Sequence, residues 1–231
     1  EYYVIERLID SVVDISWPKD RLEIQILDDS TDETTEIIDK KVTCYSNLGF
    51  DINHIRRGNR DGFKAGALQH GMFTCKGEFI AIFDADFLPN PSFIEKTIHH
   101  FKENSIGMVQ TKWDHINPKY SILTRLQAFA LNAHFSIEQR GRNESGCFIN
   151  FNGTAGLWRK SCIIDAGGWQ SDTLTEDLDL SYRAQLKGWK FIYREDVTSP
   201  AELPITIEAL RTQQFRWSKG AAECARKNLS S

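Results

Sequence analysis

The sequence predicts an α/β fold, a mixed and mostly parallel sheet with helices on both faces. Three observations carry that expectation. The first 110 residues alternate between helical and strand periods as α-β-α-β-α-β-α-β. Phe79-Ile80-Ala81-Ile82-Phe83 is an apolar run without period-2 alternation, which suits a strand covered on both sides. The strand candidates end in acids, Asp28-Asp29-Ser30 and Asp84-Ala85-Asp86, where open α/β sheets place their ligands.

In chain order, Tyr3, Val4, Leu8, Ile9, Val12 and Val13 share one helical face, and Trp17-Pro18 ends that helix. Leu22 to Leu27 alternates as a strand. Ser30 and Thr31 are candidate caps of a helix running to about Gly49. Asp51 to Ile55 is a short strand, and Asn59-Arg60-Asp61-Gly62 a turn. Lys64 to Thr74 is a helix of small residues, followed by the apolar strand. Pro89-Asn90-Pro91 breaks the chain, Ser92 is placed to cap a helix to about Lys102, and Ile106 to Gln110 is a strand. Beyond it, Tyr120 to Arg140 reads as one long helix whose apolar side is Ile122, Leu123, Leu126, Phe129, Ala130 and Ala133. Phe148 to Trp158 is an irregular strand and loop, Glu176 to Leu186 a helix, Trp189 to Tyr193 a strand, and Pro204 to about Lys227 a final helix.

The chain has 231 residues, enough for one globular domain with a sizeable core. A net charge of -4 and short basic clusters speak against nucleic acid as a partner. Five scattered cysteines without a Cys-x-x-Cys point to reduced thiols of a cytosolic setting rather than to disulfides or zinc. His134 and Glu138 share a helical face but form no zinc motif, and packing or surface roles are expected of them. No apolar stretch is long enough to span a bilayer. The chain opens within a helical pattern and without Met, so it is expected to be a piece of a longer protein.

Four constellations carry candidate chemistry, and each has a structural reading beside it. Asp28-Asp29 can accept from a nucleobase or ribose, or merely cap a turn. Asp84 and Asp86 can hold a hard divalent cation if the segment is extended, because residues two apart then point to one side. Lys64 could add positive charge beside phosphates bound to such a cation, or simply be a solvated lysine at a helix start. Asp177, in Thr175-Glu176-Asp177, can act as a general base, although acids belong in a first helical turn and Thr173 and Glu176 have capping-box spacing. Gln213, Arg216 and Trp217 share a helical face, where Arg suits a diphosphate and Trp a sugar ring.

Taken in order, Asp28-Asp29-Ser30, Asp84-Ala85-Asp86, Thr175-Glu176-Asp177 and Gln213-x-x-Arg216-Trp217 resemble the motif series of processive family 2 glycosyltransferases, the cellulose synthase-like enzymes. Gly62 to Leu68 resembles their Lys-Ala-Gly segment, and Phe151-Asn152-Gly153-Thr154-Ala155-Gly156 their acceptor-side loop, in the form closest to the glucomannan and mannan synthase branch and related bacterial enzymes. The resemblance implies a GT-A, Rossmann-like fold. It implies that residues 1–118 form a nucleotide-sugar-binding half and 119–231 an acceptor-binding half of one catalytic domain. Asp28 or Asp29 would contact the nucleoside of a UDP- or GDP-sugar. Lys64, Asp84, Asp86, Gln213, Arg216 and Trp217 would bind the nucleotide-sugar, the last three lining the channel where its diphosphate meets the acceptor sugar. Asp84 and Asp86 would hold Mg²⁺ or Mn²⁺, and Asp177 would be the base. Phe151, Asn152, Gly153, Thr154, Glu176 and Trp217 would meet a glycan acceptor. An inner strand ahead of Glu1 and flanking transmembrane helices are also implied, which would place the domain at the cytosolic face of a membrane.

Three other readings stay open on sequence grounds. A lipid acceptor, as in ceramide glucosyltransferase-like enzymes, keeps the donor site. A non-catalytic nucleotide-sugar-binding module would have no need of Asp177. A nucleotidyltransferase would have no role for Gln213 to Trp217.

Overall fold

The computed structural model describes residues 1–229. It is α/β, and the periodicities place most elements correctly. Helix α1 (Ile5–Val13) buries Ile5, Leu8 and Ile9, the i, i+3, i+4 stripe. Strand β1 (Glu23–Asp28) pairs in parallel with β2 (Asp51–Arg56), and α2 (Thr34–Asn47) crosses between them. Ile24, Ile26, Ile38 and Ile52 join α1 in one core. On its polar side Asp10 ties α1 to α2, accepting from Lys41 at 2.8 Å and from the Tyr45 hydroxyl at 2.6 Å.

A second sheet has the strand order β3-β5-β4-β6. It contains β3 (Phe79–Ile82), β4 (Ile106–His115), β5 (Gly156–Arg159) and β6 (Lys190–Ala201). β5 runs antiparallel to both β3 and β4, whereas β4 and β6 are parallel. Strands from both sides of residue 118 thus interleave. Alternation along β4 and β5 sends Met108 and Trp158 to one face and Val109 and Leu157 to the other. The first face is covered by α3 (Phe63–Thr74), α7 (Lys160–Asp165) and α8 (Glu176–Leu186) through Ala65, Ile163 and Leu180. The second is covered by α4 (Phe93–Ile98) through Phe93 and Ile94.

Several expectations change. The sheet is divided, because β1 and β3 share no ladder, and Phe83 packs into the cores on both sides of the division. The apolar run at Phe79 is an edge strand with an antiparallel neighbour, and three of its four residues are only partly buried. β4 and β6 run five and eight residues past the expected ends, because pairing with each other sustains them through polar positions. Ser30 and Thr31 do not cap α2. Asp32 instead accepts from the Thr34 N–H at 3.0 Å. Asn90, rather than Ser92, turns the chain into α4 by accepting from the Ser92 N–H at 3.0 Å. Helix α7 follows β5 directly and was not expected.

The long helix departs furthest. It comprises α5 (Ile122–Ala133), a π-helical segment at His134–Gln139, and α6 (Arg140–Glu144). Its expected core stripe faces outward, with Ile122 77%, Leu126 62% and Phe129 76% exposed. Thr124 and Gln127 are buried in its place. They can be, because Thr124 forms a capping box with Ser121 and Gln127 donates to the carbonyls of Leu123 and Pro204. Among the described residues no helix is long and apolar enough to cross a membrane. The last helix, α9 (Ile207–Leu229), packs on α8. A Cβ at Gly220 would lie 2.5 Å from Thr175 Oγ1, so the contact requires glycine.

Candidate active site

The end of β3, the loop entering β5 and the first turn of α8 converge on Lys64 at the start of α3. Its ammonium donates to Asp84 Oδ1 and, at 2.9 Å, to the Gly153 carbonyl. A Cβ at Gly153 would stand 3.5 Å from that nitrogen and 3.1 Å from Asp177 Oδ2. Glycine, at φ +83°, lets the loop pass between Asp177 and Lys64. Burial lowers the affinity of Lys64 for its proton, but Asp84, Glu176 and Asp177 outweigh it and the net shift is upward. Lys64 is thus a partly exposed lysine tied to Asp84 and to the Gly153 carbonyl, not a freely solvated one.

Asp84 and Asp86 lie in a tight turn, not in an extended strand. The Phe87 N–H bonds the Asp84 carbonyl at 3.0 Å, and β3 has already ended at Ile82. The turn places the two carboxylates close enough to repel. Burial, and then the Asp84 charge, raise Asp86 to about 6. The Asp84 N–H donates to the Thr154 hydroxyl at 2.9 Å, which ties the acidic turn to the largely buried loop 151–156. A pair of mutually repelling carboxylates fits a hard divalent cation. No cluster of three acidic, His or Cys ligands occurs among the described residues. The protein would thus supply two carboxylates and leave the remaining positions to phosphate and water.

Asp177 opens α8. Burial, and then repulsion from Glu176, raise its carboxyl to about 7, with Lys64 pulling the other way. A carboxylate poised near neutrality suits proton transfer. The capping-box alternative is not formed. Thr175 is the N-cap without a side-chain bond, and Thr173 Oγ1 donates instead to the Thr175 carbonyl at 3.3 Å.

Asp28 and Asp29 separate clearly. Asp28 is 4% exposed and accepts from the Ser30 N–H at 2.8 Å and from the Thr35 hydroxyl at 3.3 Å. It also meets His54 Nε2 at 2.9 Å, and Asp39 holds the other ring nitrogen at 2.6 Å. Asp28 is thus committed within the fold. Asp29 is the more accessible carboxylate and is held in a fork by Arg57, which also donates to the carbonyls of Asp61 and Phe63 at the entrance to α3.

On α9, Gln213 and Trp217 are half-buried and Arg216 is exposed. Trp217 lies 6.3 Å from Trp113, which also packs on Phe87 and Phe135. Arg216 has no ion pair among the described residues, so its charge is available to an anion. Phe151 and Thr154 are buried and shape the loop from within, whereas Asn152 is half-exposed.

Sequence reading missed the supports of this loop. Gln110 accepts from the Asn152 N–H at 3.0 Å and donates to the carbonyls of Thr111, Thr154 and Ala155. An amide closing the apolar run Ile106 to Val109 was the available signal. Gln139, fully buried, bonds Asn150 and Asn152, and nothing in its local sequence marks it. Left-handed backbone at non-glycine residues occurs at Phe63 and Ala155 among the described residues, and both adjoin the site.

Acids beyond the ends of β1 and β3, a lysine paired with Asp84 and a buried carboxyl in the first turn of α8 are groups that together can serve group transfer. The comparisons make the class specific. Residues 1–220 match the model of the "Glycosyltransferase like family 2", and the chain belongs to that family. It is 45% identical to glucomannan 4-beta-mannosyltransferase 1 of rice, across 99% of this chain and 45% of the rice protein. It is 43% identical to glucomannan 4-beta-mannosyltransferase 7 of Arabidopsis thaliana, across 98% of this chain and 42% of that protein. The chain therefore spans less than half the length of these relatives. Mannosyltransferase PcManGT from Pyrobaculum calidifontis, solved with GDP-Man and Mn²⁺, superposes with a TM-score of 0.78 at 18% identity, over 100% of this chain and 61% of that one. S. aureus TarS with UDP-GlcNAc superposes with a TM-score of 0.67 at 17% identity, over 88% and 56%. The fold is GT-A, as the motif series implied.

Proposed function

We propose that this chain is the catalytic domain of an inverting glycosyltransferase that moves mannose from GDP-mannose to a growing β-linked glycan. The observation that carries the reading is Asp177, raised to about 7 and sharing Gly153 and Lys64 with the acidic turn at Asp84. Asp177 takes the proton of an acceptor hydroxyl. That oxygen bonds the anomeric carbon on the face opposite the diphosphate, and the carbon–oxygen bond to the diphosphate breaks. An α-linked donor thus gives a β-glycoside. Asp84 and Asp86 would hold Mg²⁺ or Mn²⁺, whose charge offsets that of the leaving diphosphate. Arg216 and Lys64 add positive charge beside it, and Trp217 offers a flat face to a sugar ring.

The choice of mannose is supported by the rice and Arabidopsis mannosyltransferases, and that of a guanosine donor and Mn²⁺ by the Pyrobaculum calidifontis enzyme, solved with both. A UDP-sugar is the second donor reading, supported by the neighbour solved with UDP-GlcNAc. Activity at the cytosolic face of a membrane, through segments outside residues 1–231, belongs to the same proposal and rests on the motif resemblance. The test is transfer from radiolabelled GDP-mannose and UDP-glucose by the intact protein, with linkage analysis of the product. Polymer carrying β-linked mannose supports the proposal. Organic-extractable glycolipid without polymer overturns the glycan acceptor, and label taken only from UDP-glucose overturns the donor.

A further inference from the structure

The bonds around Asn152 can be oriented without ambiguity, starting from backbone groups that have only one polarity. The Asn150 N–H donates to Gln139 Oε1 at 3.3 Å, so the other end of that amide is Nε2. Gln139 Nε2 then donates to the Asn150 carbonyl at 2.9 Å and to Asn152 Oδ1 at 3.0 Å. With Oδ1 fixed as an acceptor, Asn152 Nδ2 is a donor, and it meets His134 Nε2 at 3.1 Å. That ring nitrogen must carry the lone pair. Its partner Nδ1 carries the proton and gives it to Glu138 Oε2 at 2.8 Å. Glu138 is itself held by Arg142 at 2.7 Å.

The π-helical segment His134–Gln139 makes this possible, because its wider turn brings residues five apart to one side. His134 and Gln139 therefore grip one amide from its two ends. Asn152 keeps one N–H and one oxygen lone pair without a partner among the described residues. It directly precedes Gly153, the residue against Asp177. An amide locked on both sides, with one donor and one acceptor left over beside a general base, matches vicinal hydroxyls of a pyranose.

We infer that His134, oriented by Glu138, is a positioning residue that presents the Asn152 amide to hydroxyls of the terminal sugar of the acceptor glycan. The inference rests on the glycan-transfer reading above. It gives the His134–Glu138 pair a role that its sequence spacing did not suggest.

The experiment uses the intact protein with GDP-mannose and a short β-linked manno-oligosaccharide. His134→Ala is expected to raise the acceptor KM about tenfold with the donor KM within about twofold, the scale of one lost hydrogen bond. His134→Gln, whose Oε1 can accept from Asn152, is expected to recover most of that loss, and the shorter His134→Asn is not. Combined with Asn152→Ala, His134→Ala should add nothing further, since both act through one amide. Equal rises in donor and acceptor KM, additive losses, or His134→Gln no better than His134→Asn would each overturn the inference while leaving transfer itself intact. A wild type that uses no glycan acceptor overturns the transfer reading, and this one with it.

Discussion

Replacing Asp177 by Asn should remove transfer and make the domain more stable, and the two effects have one cause. Asp177 is raised from 3.8 to about 7 by burial and by Glu176. A carboxyl whose proton is held more tightly in the folded state favours folding only while protonated. Between about pH 4 and 7 the folded chain binds more protons than the unfolded chain, so the Asp177 contribution to stability falls as pH rises. At about 1.4 kcal/mol per pH unit, the displacement corresponds to at most roughly 4 kcal/mol of destabilisation above pH 7. Partial solvent access reduces this to an expected gain for Asp177→Asn of about 1–3 kcal/mol at pH 8. The gain should vanish below pH 4. Urea unfolding of both proteins at pH 3.5, 6 and 8 measures it, and transfer assays should show a loss of at least about 100-fold. A variant equally or less stable at pH 8, or one that retains turnover, would refute the assignment of Asp177 as a raised, catalytic base.

Three further outcomes follow from the geometry. Asp86→Ala should abolish the Mn²⁺-dependent part of nucleotide binding in calorimetry. In the wild type that part should strengthen as pH rises through about 6, where Asp86 gives up its proton to the solvent and its charge to the cation. Asp28→Ala should cost about 3–5 kcal/mol, because it strips a buried partner from His54, whereas Asp29→Ala should chiefly raise the donor KM. Hydrogen bonds from Ser30 and His54 outweigh burial and hold Asp28 below the usual carboxylate range, so its contribution, unlike that of Asp177, is lost as pH falls. Gly220→Ala should cost about 1–3 kcal/mol in thermal unfolding by forcing α9 away from Thr175, and should weaken donor binding through displacement of Trp217 and Arg216.

Much of the fold was legible because helix and strand periods are local. The stripe Ile5, Leu8, Ile9 and the alternation of β1 need no knowledge of distant residues. The outward face of α5 was not legible. An apolar stripe says that a helix has two unlike faces, and whether the core takes the apolar one depends on neighbours. Here Gln127 reaches the Pro204 carbonyl, 77 residues away, and the polar face is buried. The antiparallel insertion of β5 between β3 and β4 is likewise a long-range pairing with no local trace.

The site divides along the same line. Sequence by itself determined which chemical groups are present and in what order, because the acidic pairs, the lysine and the Gln-x-x-Arg-Trp helix are contiguous segments that resemble one family. It also determined that the first of these sits at a strand end. Tertiary structure decided the surroundings of each group. It buried Asp28 against His54 and left Asp29 accessible, brought the carboxylates of Asp84 and Asp86 together through a turn rather than a strand, and set Lys64 between Asp84 and Gly153. It raised Asp177 by enclosing it beside Glu176. The reason is physical. Protonation, hydrogen-bond polarity and access to solvent depend on the distance between atoms far apart in the chain, and only folding fixes those distances.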